Sequence, residues 1–206
     1  MEIYSNEKEQ IDALRRFFLN YGKILLTTAI LAAGVLAGWY YWQQDQSNSE
    51  QERSAAYQQV ISALNDDQPD TLDAVARYAF DNHNTYGVMA SLNLAKHYAD
   101  LGKLGKAAAQ LQMGLKNTRD DLLRSLIRLR LARIQLEQKK TDDALKTLDE
   151  IKDESWSPMV AEVRGEALKS KGDTKGARAA WQQAIDANNS SALRKRLLMR
   201  INDLPR

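Results

Sequence analysis

The sequence predicts an all-α protein in two parts. An N-terminal single transmembrane helix comes first, followed by a solenoid of stacked helix pairs. Three observations lead there. Ile24 to Trp42 run nineteen residues without a charge, in a chain that is 27% charged. Only three prolines and ten glycines stand among abundant Ala, Leu, Gln, Lys, Arg and Asp, a composition that favours helix throughout the 206 residues. Three segments, beginning at Leu94, Leu131 and Arg164, align with one another at spacings of 37 and 33 residues.

Residues 1–23 form the first element. Asn6 followed by Glu9 reads as a helix start. Ile11, Leu14, Phe18 and Tyr21 then fall on one face, with Glu7, Lys8, Asp12, Arg15 and Arg16 on the other. This is a short amphipathic tail. It serves either as an interfacial orientation signal or as a docking element for a cytosolic partner.

Residues 24–42 form the expected span. Nineteen helical residues reach about 28 Å, against a hydrocarbon core about 30 Å thick. Phe17, Phe18 and Tyr21 precede the run and Trp39, Tyr40, Tyr41 and Trp42 close it, in the manner of interfacial aromatic belts. A cleaved signal peptide fits poorly. The leading segment carries Glu2, Glu7, Glu9 and Asp12, and the run ends in bulky rings rather than small residues. Lys8, Arg15, Arg16 and Lys23 lie on the amino side, against Arg53 alone in the next twenty residues on the other. That bias predicts a single-pass type II protein of the bacterial inner membrane, with a cytoplasmic N-terminus and a periplasmic C-terminal domain. Gly34 and Gly38 make a G-x-x-x-G pair beside Ala29, Ala33 and Ala37. They are either a contact ridge for another membrane helix or small residues of the kind spans often carry.

Residues 43–48 are polar and read as a linker to a repeat domain over 49–206. Tyr57, Val60, Ile61 and Leu64 form one stripe, NDDQPD (65–70) a break, and Leu72, Val75, Ala76 and Ala79 the next stripe. This first pair fits the repeat spacing less well and is either a divergent repeat or an entry cap. In the three aligned segments a small residue recurs at Ala95, Ala132 and Gly165. Another recurs at Ala107, Ala144 and Ala177, and a large one at Leu111, Leu148 and Trp181. The turns carry Gly102, Lys139 and Gly172. Small residues let paired helices cross closely, the large residue fills the joint, and glycine tolerates a left-handed backbone. The pattern resembles the tetratricopeptide repeat, a helix pair of about 34 residues that buries its apolar face only by stacking. SALRKRLLMRINDL (191–204) has Leu193, Leu197, Ile201 and Leu204 on one face and Arg194, Lys195, Arg196 and Arg200 on the other. It reads as a capping helix, or else as a contact for a lipid headgroup or partner.

No chemistry is visible. The chain has no cysteine, so disulfides and thiolate sites are excluded, and its net charge of +2 gives no sign of a nucleic-acid partner. His83 sits in a polar break, and His97 with Asp100 makes at most two ligands. The adjacent acids Asp66–Asp67, Asp120–Asp121 and Asp142–Asp143 sit where carboxylates cap helices. Gly-Lys at 102–103 and 105–106 lacks the spacing of a phosphate loop. No cofactor and no enzymatic activity are expected.

The stretches QIDALRRFFLNYGK (10–23), NTYGVMASLNLAKHYAD (84–100), ALKTLDEIK (144–152) and VRGEALKSKGDTKGARAAW (163–181) resemble the YfgM family of ancillary subunits of the bacterial Sec translocon. The order of tail, apolar run and repeats is similar as well, and the resemblance covers nearly the whole chain. It implies association with the SecYEG channel and with the periplasmic chaperone PpiD. It also implies a task in passing emerging secretory proteins to chaperones, and restraint of the response regulator RcsB on the cytosolic side. A general envelope-assembly scaffold would share the repeats without the tail match.

In stacked pairs the first helix of each pair lines the concave side. The inward positions are then Met89, Leu92 and Lys96, next Leu126, Leu129 and Arg133, and last Met159, Glu162 and Glu166. The expectation is a groove graded from basic to acidic that holds a partner or client. The competing expectation is that Met89, Leu92 and Leu129 simply pack inside the solenoid.

Overall fold

The structure is a computed structural model and describes residues 3–62, 64, 69–188 and 190–205. The described residues are all-helical, and the chain divides into two compact units, Met1–Arg53 and Ser54–Arg206. The first helix, α1 (Ile3–Ser62), accounts for the described residues of the first unit and the start of the second.

In the first unit, Leu26, Ile30, Leu31, Val35, Leu36 and the run Trp39 to Trp42 are exposed. The expected transmembrane helix is corrected here. Among the described residues, no helix is long and apolar enough to cross a membrane. The run Ile24 to Trp42 combines large aliphatics with alanine, threonine, glycine, tryptophan and tyrosine. The single-pass inner-membrane placement, with its cytoplasmic and periplasmic sides, falls with the span on which it rested. Gly34 and Gly38 have open space where a Cβ would stand. The apolar face read at Ile11, Leu14 and Phe18 lies outside the described side chains, and the break at 65–68 lies outside the described residues. Residues 43–48 lie inside α1; QQDQSN contains neither Gly nor Pro to stop a helix.

In the second unit the end of α1 is followed by α2 (Pro69–Asp81), α3 (Thr85–Asp100), α4 (Leu104–Asn117), α5 (Asp121–Glu137), α6 (Thr141–Asp149), a 3-10 turn at Glu154–Trp156, α7 (Ser157–Ser170), α8 (Thr174–Asp186) and α9 (Ser191–Asn202). The three aligned segments are the pairs α3/α4, α5/α6 and α7/α8. Each pair turns the same way. Gly102, Lys139 and Gly172 adopt φ of 69°, 64° and 82°. Their N–H groups donate to Ala99, Leu136 and Lys169, all at 2.9 Å, while the next N–H reaches back to Tyr98, Gln135 and Leu168 at 2.8–3.0 Å. This is the Schellman closure, which satisfies the last carbonyls of the first helix. Helix starts are capped by side chains. Asn84 accepts from the Gly87 N–H at 3.1 Å, Asp120 from Leu123 at 2.9 Å and Asp173 from Gly176 at 2.8 Å.

Three apolar clusters hand over along the stack. The first joins Tyr57 of α1 and Leu72 and Val75 of α2 to Leu94, Ala95, Leu111 and Ile127. The second holds Leu129, Ala132, Ala144, Leu148, Trp156 and Val163. The third holds Ala161, Ala177, Trp181, Ile185, Leu197 and Ile201, which seats α9 on α7 and α8. Every aligned small and large position within the helices is buried, from Ala95 and Ala107 to Gly165 and Trp181. The last pair is the tightest. Trp181 Nε1 donates to the Glu162 carbonyl at 3.1 Å, and a Cβ on Gly165 would lie 2.3 Å from that nitrogen.

Candidate partner-binding groove

The first helices of two neighbouring pairs, α3 and α5, form the walls of a recess of about 420 Å³. Its floor is apolar: Leu92, Ala95 and Ala99 from α3, Leu111 from α4 and Ile134 from α5. Its rim is charged: Lys96 and Asp100 from α3, and Arg130, Arg133 and Glu137 from α5. Helical periodicity produces this layering, because residues three or four apart on each helix share the inward face.

Lys96 Nζ bonds Asp100 Oδ2 at 2.7 Å, with both side chains largely exposed. Nearby, the Tyr57 hydroxyl accepts a hydrogen bond from Asn93 Nδ2 at 3.0 Å. Burial pushes that hydroxyl's pKa up, and the Asn93 bond opposes the rise.

The nine residues expected to line a groove fall into different environments. Leu92, Lys96 and Arg133 meet in the recess. Met89 is 37% exposed. Leu126 is half-buried and packs against both the first and the second core cluster. Leu129, at 3% exposure, packs with Leu148, Trp156 and Val163, and half-buried Met159 packs against the same cluster. Glu162 and Glu166 are tied to the last helix: Arg196 Nη2 reaches Glu162 Oε1 at 2.6 Å, and Arg200 bonds Glu166. Arg200 also stands over the Trp181 ring, 6.0 Å from its centroid.

Sequence reasoning missed Arg130, Ile134 and Glu137. A signal existed: Arg130 and Glu137 lie three residues before and four after Arg133, one turn either way on the same face. His83 is exposed and His97 half-buried beside Tyr98. Among the described residues, no group of three or more His, Asp or Glu side chains could hold a metal ion. An apolar floor under a guanidinium-bearing rim offers apolar contact and cationic hydrogen-bond donors side by side.

Comparison with known proteins agrees with this architecture. The family model described as a tetratricopeptide repeat-like domain matches residues 15–206. The chain is 48% identical over 204 residues to the ancillary SecYEG translocon subunit of Escherichia coli (strain K12), covering 99% of both chains. It is 30% identical over 203 residues to the protein of the same name from Haemophilus influenzae (strain ATCC 51907 / DSM 11121 / KW20 / Rd), covering 98% of this chain and 99% of the other. Among solved structures, MamA 41-end from Desulfovibrio magneticus RS-1 superposes with a TM-score of 0.55 at 16% identity, over 73% of this chain and 86% of that one. At that identity the likeness concerns the fold alone.

Proposed function

This chain belongs to the family of ancillary SecYEG translocon subunits, and from that membership we propose that it works as a non-enzymatic adaptor at the Sec translocon. The observation that carries the reading is identity at nearly half of all positions across the full length of a relative with that name. The recess between α3 and α5 supplies the means: it holds a segment of an emerging secretory protein or of a partner, and releases it without altering it. The finer partners follow from the family resemblance. They are PpiD, as the chaperone that receives the client, and RcsB, as a regulator held in check. Neither has a surface assigned to it.

Site-specific photocrosslinking in cells tests the role. A photoreactive residue replaces Lys96 or Arg133 in the recess, or Gln112 on α4 as a control. The expected adducts from the recess contain Sec channel subunits, translocating chains or PpiD, and Gln112 gives few. Recovery of envelope-assembly factors with no Sec component would favour the general scaffold and sink the adaptor reading.

A further inference from the structure

We propose that the recess selects segments bearing acidic side chains next to aliphatic ones, with Arg130 and Arg133 as the carboxylate readers. The inference rests on the groove reading above and adds a chemical preference to it.

The charges around the floor fall into committed and uncommitted groups. From α3, Lys96 faces the recess but is already committed to Asp100 at 2.7 Å. From α4 only Leu111 reaches it. From α5 come Arg130, Arg133 and Glu137. Neither arginine has a hydrogen-bond or ion-pair partner among the described residues, and both are exposed. Glu137 stands four residues after Arg133 and makes no ion pair with it. The acids expected further along the groove are not available as rivals, because Glu162 and Glu166 are engaged by Arg196 and Arg200 of α9. The recess therefore offers two uncommitted guanidinium groups against the one uncommitted carboxylate of Glu137, an excess of positive charge over an aliphatic floor.

A guanidinium presents a planar fork of donors that matches a carboxylate in a bidentate way. Two arginines three residues apart on a helix stand about 5–6 Å apart at Cβ. Side chains two apart on an extended segment are separated by about 6.8 Å. One extended segment can thus offer a carboxylate to each arginine, while aliphatic residues farther along its inward face meet Leu92 and Ile134. An internal segment supplies both carboxylates from side chains and continues past them along the aliphatic floor. The occupant we assign is an internal acidic–aliphatic segment of a partner polypeptide.

Dye-labelled ten-residue peptides of Leu, Ser and Glu test this, with both ends blocked and two Glu residues two positions apart. Twins carry Gln or Lys in place of Glu. Fluorescence anisotropy with the full chain reads binding. The Glu peptide is expected to bind about tenfold more tightly than its Gln twin, the Lys twin more weakly still, and the preference should shrink as salt rises. Arg130→Gln with Arg133→Gln should erase the preference without changing the thermal melt, since both side chains are exposed. Arg119→Gln with Arg178→Gln, exposed and outside the recess, should leave it intact. Equal binding of the Glu and Gln peptides, or a preference that survives loss of both recess arginines, overturns the proposal and leaves the groove standing. Binding of no peptide overturns the groove reading itself, and crosslinking to Sec components reports on the family-based role independently.

Discussion

The joint between α7 and α8 offers the sharpest test of how this chain builds its repeats. The other two pairs combine Ala95 with Leu111 and Ala132 with Leu148, whereas the last combines Gly165 with Trp181. The smaller residue compensates the larger. A Cβ on Gly165 would lie 2.3, 2.4 and 2.8 Å from Nε1, Cδ1 and Cε2 of an indole that is 0% exposed and has nowhere to go. Overpacking of that kind costs about 3 kcal/mol at the upper end of its range. Alanine's better helix propensity returns about 1 kcal/mol, so Gly165→Ala alone should destabilise by about 2 kcal/mol. Trp181→Leu opens a cavity and loses the 3.1 Å bond to the Glu162 carbonyl, for about 2–3 kcal/mol. The double variant recreates the Ala/Leu pairing of the other repeats. Its clash is gone while the propensity gain remains, so it should be more stable than Trp181→Leu alone by about 1 kcal/mol. The coupling energy should then equal the relieved clash, about 3 kcal/mol. Urea unfolding of the full chain, followed by circular dichroism, measures all four corners of the cycle. Additivity within about 0.5 kcal/mol would refute the compensation argument.

Three further outcomes are expected. Lys139→Gly should stabilise the chain by about 0.5–1 kcal/mol, since a left-handed non-glycine costs about 1–2 kcal/mol and glycine's extra unfolded-state freedom returns only part of that; a lowered urea midpoint would contradict it, and Gly102→Ala and Gly172→Ala should move the midpoint the opposite way. Leu129→Ala should cost about 2–5 kcal/mol as a core truncation, whereas Met89→Ala, 37% exposed, should cost under about 1 kcal/mol; equal tolerance of the two would remove Leu129 from the core. Lys171, bonded to Asp142 at 2.6 Å, holds that carboxyl below its ordinary 3.8. With the folded value depressed, the pair's contribution is complete above 3.8 and is lost as pH falls through the lower folded value. An NMR titration should therefore show a midpoint under 3.8 that returns toward it in Lys171→Ala, and an unmoved midpoint would show that the ion pair does not act in solution.

The repeat architecture was legible because its constraints are local. A small residue where two helices cross, a large one at the joint and a left-handed turn each leave a mark at a fixed offset. Lys139 took the left-handed turn conformation that its alignment with Gly102 and Gly172 implied. The groove was less legible because facing inward and being accessible are different properties. Leu92 and Leu129 occupy equivalent positions and are both buried, at 6% and 3% exposure, but Leu92 in the first core cluster also borders the recess whereas Leu129 packs with Trp156 and Val163 of the following segment. Only packing against that segment decides between the two. The expected span is a separate matter: among the described residues, no helix is long and apolar enough to cross a membrane.

The last helix shows why the small-residue rule holds where it does. Glu162 with Arg196 and Glu166 with Arg200 are each 34 residues apart, one repeat length. So α9 stands against α7 in the register that the first helix of a further pair would take. Val163 and Ala167, both 0% exposed, map onto Leu197 and Ile201, which are likewise buried. The same shift maps Gly165 onto Met199, which is 60% exposed. A side chain that large could not sit where Gly165 sits, beneath a crossing second helix. It is tolerated on α9 because, among the described residues, no second helix follows to cross there. The small residue thus answers to the crossing and not to the repeat. The arginines of α9 follow the same logic from the other side. They meet the acids of α7 one repeat back, which settles the charge of the last pair inside the fold and leaves Arg130 and Arg133 of α5 as the uncommitted cations at the recess.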